Sequence, residues 1–262
     1  MDFPQSRAVS PLLEYLDRPR STNDELMQRA TGEDAGLWPD LAVVVSDNQT
    51  AGRGRLGREW LSPAGKSLAV SVLLRPVADD GGIVPIERFG WFPLLAGLAM
   101  TRAVSAVLPE PAALKWPNDV LIKGRKVCGI LSELLPDASG VVVGAGLNVS
   151  LAPDDLPTST STSLLIEGVE SPDPDGVLAA YLTELSVLYR DFLANDSRSL
   201  ASLRSDITAH CETIGRAVRV ELPSNHQLLG TATAIDSAGR LVVETDTGIT
   251  TVAAGDVTHL RY

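Results

Sequence analysis

Three glycines and three arginines fall within seven consecutive positions of this chain, Gly52-Arg53-Gly54-Arg55-Leu56-Gly57-Arg58. Glycine lets a backbone approach a ligand closely and enter turns closed to other residues. Arginine presents a fixed fork of donors that matches carboxylate and phosphate. The loop follows Gln49 and is expected to act as a lid over an anion, its arginines lacking partners until that anion arrives. A second stretch, Lys115-Trp116-Pro117-Asn118-Asp119, reads as a strand end and a turn. Proline restricts Trp116, and Asn-Asp suits the turn. Turn chemistry does not explain the preceding Lys and Trp. Lys126 opens the next strand, seven residues after Asp119, and Gly129 on that strand permits close approach of a ligand. Gly144 and Gly146 add a further glycine-lined strand, although a bulge or tight packing would account for them equally well. The chemistry these types can support is stabilisation of charge on a carboxylate or phosphate under a loop that excludes water.

Two literal motif matches fail in context. Gly52-x-Gly54-x-x-Gly57 fits the dinucleotide fingerprint and follows a strand, but Glu59-Trp60-Leu61-Ser62-Pro63 does not open a crossover helix. Gly65-Lys66-Ser67 ends like a phosphate-binding loop, yet Trp60 stands where its first glycine belongs. His210, His226 and His259 have no metal-like spacing, and no Gly-x-Ser-x-Gly elbow exists.

The elements that must position these residues follow from capping and periodicity. Ser21-Thr22-Asn23 opens a helix reaching about Ala30, with Asp24 and Glu25 at its positive end. Residues 41–46 and 68–74 read as buried strands flanking the Gly/Arg loop. Residues 91–107 form a buried helix with Pro93 in its first turn. Strands follow near 112–116, 119–123, 126–135 and 141–149. Residues 151–175 are loop, and helices run over 177–192 and 198–211. Beyond Thr213 the chain becomes short Val- and Thr-rich strands, at 215–222, 227–235, 241–245 and 249–253, the pattern of a small antiparallel barrel. The reading is therefore an α/β (α+β) chain with a larger domain over 1–212 and a barrel over 213–262.

At 262 residues the chain can bury a full core. Its net charge of −11 argues against general nucleic-acid or membrane-surface binding and for one focused basic site. Two distant cysteines, Cys128 and Cys211, suit a reducing cytosol. The longest apolar run is too short to span a bilayer, and the first ten residues lack a signal-peptide core. A cytoplasmic location is expected.

The Ser21-Thr22-Asn23, Gly52–Arg58, Lys115–Asp119 and Gly144-Ala145-Gly146-Leu147-Asn148 motifs, in this order and spacing, resemble the biotin–protein ligases, from about Ser21 to the C-terminus. The resemblance implies a mixed-sheet catalytic domain similar to class II aminoacyl-tRNA synthetases, followed by an SH3-like barrel. It implies ATP-dependent formation of biotinyl-5′-AMP, then transfer to a lysine of the biotin carboxyl carrier domain of an acyl-CoA carboxylase, with Mg²⁺ on the phosphates. It places Ser21, Thr22, Asn23 and Gln49 on biotin's ureido head, and Gly52, Arg53, Gly54 and Arg55 around biotin and the phosphate. Lys126 meets the biotin carboxylate and α-phosphate, with Arg55 as a second catalytic cation. Gly129, Gly144 and Gly146 line the biotin slot. Arg55, Arg58, Trp60, Lys115, Asn118, Asn148 and Arg261 fall on the ATP side, and Asn118 and Asp119 on the metal. Only twenty residues precede Ser21, so the class without an N-terminal DNA-binding domain is expected. A lipoate–protein ligase, or a biotin- or nucleotide-sensing regulator without catalysis, remains the alternative.

Overall fold

The computed structural model describes residues 1–61, 63–79, 81–222 and 226–260. In chain order, α1 (Pro4–Val9) and β1 (Leu13–Tyr15) precede α2 (Thr22–Thr31) and β2 (Val43–Ser46). A two-stranded hairpin, β3 (Gly52–Arg53) and β4 (Glu59–Trp60), leads to β5 (Ser67–Leu74) and α3 (Trp91–Ser105). Then come β6 (Ala113–Lys115), β7 (Asp119–Ile122), β8 (Arg125–Leu134) and β9 (Val141–Asn148). Helices α4 (Pro174–Leu193) and α5 (Ser197–His210) lead to β10 (Ala217–Glu221), β11 (Gln227–Ile235), β12 (Leu241–Thr245), β13 (Gly248–Val252) and β14 (Asp256–His259).

Seven strands form one mixed sheet in the order β1-β2-β5-β9-β8-β7-β6, with only β1 and β2 parallel. One face carries Leu68, Val70, Val143 and Leu147 against α3 and α4. Helix α3 is buried on nearly all sides, which is why its sequence is apolar throughout instead of striped. The opposite face is covered at one end by α2, whose Leu26 and Ala30 pack on Val44, Leu73 and Val142. Ser21 caps α2, its Oγ accepting from the Asp24 amide.

The C-terminal strands form a five-stranded antiparallel sheet, β13-β12-β11-β10-β14, consistent with an SH3-like fold. It is tied to the start of α3 by Trp91 Nε1 donating to Ser237 O (3.0 Å) and to the β6–β7 turn by buried Trp116 Nε1 donating to Gly239 O (3.2 Å). His259 Nε2 lies 3.1 Å from Thr213 Oγ1, which also accepts from the Trp116 amide.

Sequence reading missed α1, β1 and β14, all under seven residues and too short for periodicity to register. The strand expected from residue 41 begins at Val43, because Leu41 adopts a φ of 64°.

Burial, with Lys115 and Arg216 nearby, pushes His259 down to about 4, although Glu212 Oε1 at 3.5 Å acts the other way. Its folded value thus lies below the unfolded one of about 6.5. The stability it contributes is complete above that value and is lost as pH falls toward 4. An NMR titration of the His259 ring should give a midpoint near 4, and His259→Gln should flatten the fall in unfolding free energy over this window. A midpoint near 6.5 would contradict this placement.

Candidate active site

The uncovered part of the α2-side face is built from small residues. Ladder register puts Ala69 on β5, Gly146 on β9 and Gly129 on β8 side by side, with Ser71, Gly144 and Leu131 in the next row. Along β9 the inward positions read Val142, Gly144, Gly146. Val142 supports Leu26 of α2. A methyl at 144 would collide with the Asn23 carboxamide, and one at 146 with the Trp60 indole. A Cβ at Gly129 would lie 2.8 Å from Lys126 Nζ and 3.2 Å from Trp60 Cζ3. The glycines therefore serve close packing by side chains of α2 and β4, not only by a ligand.

The N-terminus of α2 supplies one end of the slot. Gln49 Oε1 accepts from the Thr22 amide (2.7 Å) and faces Thr22 Oγ1 at 3.2 Å. Ser71 Oγ lies 2.6 Å from Asn23 Oδ1 and 2.8 Å from Thr22 Oγ1. Asn23 Oδ1 can only accept, so the Ser71 proton goes there. Asn23 Nδ2 donates to Leu131 O (3.2 Å) and Glu133 Oε2 (2.8 Å).

At the other end stand the cations. Lys126 sits where the β7–β8 register shifts between Val120 and Leu121, a bulge that re-aims its side chain. Its Nζ reaches over Gly129 to within 2.6 Å of Asp119 Oδ1, a charge contact poorly aligned as a hydrogen bond. Nζ also lies 5.7 Å from the Trp60 ring centroid. Arg55 Nη1 donates to Asn118 Oδ1 (2.8 Å) and Nη2 to Gly255 O (3.0 Å), with Asp256 at 3.8 Å. Burial lowers the Arg55 pKa from its ordinary value.

The arginines expected to be free are partnered within the chain. Arg53 makes a bidentate pair with Glu133 (2.7 and 2.9 Å) and contacts Asp24. Arg55 is held as above, and Arg58 pairs with Asp256. The loop tip is a tight turn closed by the Arg58 amide donating to Arg55 O at 3.2 Å, with Leu56 at φ 57° and Gly57 at φ 72°.

One cavity brings together Ser21, Thr22, Asn23, Gln49, Arg53, Gly54, Arg55, Trp60, Asn118, Lys126, Gly129, Gly144 and Gly146. Gly52 stands at its edge, packed on the Gln49 side chain and Trp60. An adjoining polar cleft is lined by Arg55, Arg58, Lys115, Asn118, Asp119, Glu221 and Asp256. Trp60, assigned to the nucleotide by resemblance, lies instead on the glycine floor, and its buried Nε1 finds no acceptor among the described residues. Asn148 lines neither cleft; its buried Nδ2 donates to Thr162 O at 2.9 Å. Arg261 lies outside the described residues. Among the described residues no cluster of three His, Cys, Asp or Glu side chains could hold a metal. Asn118 and Asp119 offer oxygen donors of the kind magnesium uses, but they already contact Arg55 and Lys126.

Sequence reading missed Ser71, Glu133, Gly255 and Asp256. Ser71 had a signal, as the hydroxyl in the middle of the apolar run Leu68–Leu74. The others meet the loop only through tertiary structure.

The sequence pattern of the biotin/lipoate A/B protein ligase family matches residues 16–148, and that of the biotin protein ligase C-terminal domain matches residues 213–260. The biotin–[acetyl-CoA-carboxylase] ligase of Mycobacterium tuberculosis is 40% identical over 95% of this chain and 89% of its own length. The bifunctional ligase/repressor BirA of Bacillus subtilis is 32% identical over 84% of this chain and 66% of its own length. A biotin protein ligase of Aquifex aeolicus, solved in complex with biotin and ATP, superposes with a TM-score of 0.78 at 27% identity, covering 96% of this chain and all of that one. The chain belongs to the biotin/lipoate A/B protein ligase family, on its biotin–protein ligase branch.

The glycine floor makes its own prediction. Gly146→Ala should displace the Trp60 indole, raising acrylamide quenching in a Trp38→Phe background where Trp91 and Trp116 are buried. Unchanged quenching would show that Trp60 does not rest on Gly146.

Proposed function

We propose that this chain is an ATP-dependent biotin–protein ligase. The biotin carboxylate attacks the α-phosphorus of ATP, giving biotinyl-5′-AMP and pyrophosphate. A lysine amine of a biotin carboxyl carrier domain then attacks the acyl carbon, and AMP leaves. The observation that carries the reading is the polarity of the slot. Amides and hydroxyls of Ser21, Thr22 and Gln49 stand at one end, a glycine floor under Trp60 lies between, and Lys126 and Arg55 stand at the other. Biotin has the same order: a ureido head, an aliphatic chain and a carboxylate. A lipoyl group has no ureido head to use the first end, which favours biotin.

In this account Lys126 balances charge on the carboxylate and α-phosphate oxygens as the bond forms, and Arg55 assists from the loop. Lys126 must exchange Asp119 for the ligand to do so. Trp60 and the Gly/Arg loop keep water from the acyl-adenylate, and the unpartnered indole N–H is available to the ligand. The triphosphate occupies the adjoining cleft with Lys115 and Arg58, where magnesium arrives as part of the nucleotide substrate. Asn148 serves the loop after β9 through the Thr162 carbonyl, not the nucleotide itself. We assign residues 1–212 to the catalytic unit and 213–262 to the barrel, whose Gly255 and Asp256 hold Arg55 and Arg58. The carrier is the biotin carboxyl carrier domain of an acyl-CoA carboxylase. Location is cytoplasmic, and DNA and membrane are not partners; no helix among the described residues is long and apolar enough to cross a membrane.

Biotin-dependent ATP–pyrophosphate exchange tests the reading, with lipoate as the contrasting trigger. Lys126→Ala should lower exchange by about 10²–10³, the loss typical of removing one preorganised charge-stabilising group. Exchange at the unmutated rate would remove Lys126 from the mechanism, and exchange with lipoate alone would overturn the choice of substrate.

A further inference from the structure

The β7–β8 ladder is irregular at Lys126, so strand pairing alone does not fix this residue. Its main chain is instead clasped by a distant segment. The Lys126 amide donates to Thr160 O at 2.8 Å, and the Thr162 amide donates to Lys126 O at 2.8 Å, an isolated parallel bridge across Ser161. The clasp belongs to the Ser- and Thr-rich connection between β9 and α4, whose only helical piece is one 3-10 turn, Pro153–Asp155. Main-chain bonds from the Leu164 amide to Asn148 O (3.2 Å) and the Leu165 amide to Val149 O (3.0 Å) tie it to the end of β9, and side chains hold the clasp itself.

Two do so. Asn148 holds the Thr162 carbonyl. Glu167 Oε1 accepts from Thr162 Oγ1 and from Arg125 Nη2, each at 2.6 Å, while Lys123 Nζ lies 3.9 Å from Oε2. The Glu167 side chain is only 2% exposed. A buried carboxylate is costly and persists where charged and hydrogen-bonding partners surround it. Here its partners are the residue before Lys126 on β8 and the residue that clasps Lys126 from across the bridge. Both grips close on the same point, and Glu167 itself lines neither cleft of the site.

We propose that Glu167 is a positioning residue for Lys126, acting through Arg125 and the Thr160–Thr162 clasp; the inference rests on the adenylation role of Lys126. It gives the loop after β9 a function: fixing the backbone from which the charge-balancing ammonium extends.

The test uses the full chain as Glu167→Gln and Thr162→Val, each alone and in a Lys126→Ala background. Amide hydrogen exchange at Lys126 and Thr162 should speed by about tenfold in either single variant, as a local opening. The kcat of biotin-dependent pyrophosphate exchange should fall on the order of 10-fold, more than KM rises, as expected for a displaced transition-state-stabilising group. In the Lys126→Ala background the same changes should cause no further loss, because residues acting through one group are not additive. Unchanged Lys126 protection would overturn the proposal, as would an equal fold-loss in both backgrounds, which marks general destabilisation. Should Glu167→Gln fail to fold by circular dichroism, Thr162→Val provides the same comparison. Absence of exchange in the unmutated chain would sink the ligase reading, while the amide protection would still decide whether Glu167 holds the Lys126 backbone.

Discussion

Gly144 and Gly146 leave two successive inward positions of β9 without side chains, and Asn23 and Trp60 press into the space. Gly129 extends the same bare patch onto β8, under Lys126. This is where three separate pieces of chain meet: the start of α2, the Gly/Arg loop with its hairpin, and the β7–β8 strands. A side chain of any size at these positions would lift the pieces apart. The sheet face grades from a packed core under Leu26, through a polar contact at Asn23, to an aromatic lid at Trp60. The polarity of the slot follows from that gradient.

Charge is arranged around the slot in exchangeable pairs. Arg53 rests on Glu133 and Asp24, Arg58 on Asp256, and Lys126 on Asp119. Partly exposed pairs of this kind are worth about 0–1 kcal/mol each. They are strong enough to give the loop a defined shape and weak enough for a carboxylate or phosphate to replace the internal partner. Arg55 differs, being more buried and held by Asn118 and the Gly255 carbonyl, so the loop has one firm anchor and two looser ones. The C-terminal sheet takes part directly, since Gly255 and Asp256 begin β14 or immediately precede it.

Much of this was legible in the chain. Helix α2 announced itself through Ser21 and the acidic residues after it, and β8 and β9 through continuous apolar runs interrupted by glycine. The barrel showed in its turn residues, and the spacing of Asp119 and Lys126 was that of a hairpin whose turn is Lys123-Gly124, both at positive φ. What sequence could not show was pairing at long range. The arginines looked free because Glu133 is 80 residues from Arg53, and Asp256 198 from Arg58. Resemblance alone places Asn148 beside the nucleotide; its buried side chain donates to Thr162 O across 14 residues of sequence. Trp60 sat next to the arginines in sequence, but hairpin pairing with Gly52 turns it onto Gly146.

One extended ligand is expected to run from the α2 N-terminus across the glycine floor to Lys126. A crystal structure with biotin and a non-hydrolysable ATP analogue tests it most directly. The ureido head is expected against Thr22 and Gln49, the aliphatic chain between Gly146 and Trp60, and the carboxylate at Lys126 Nζ with Asp119 displaced. A carboxylate at the α2 end, or biotin bound outside this slot, would contradict it.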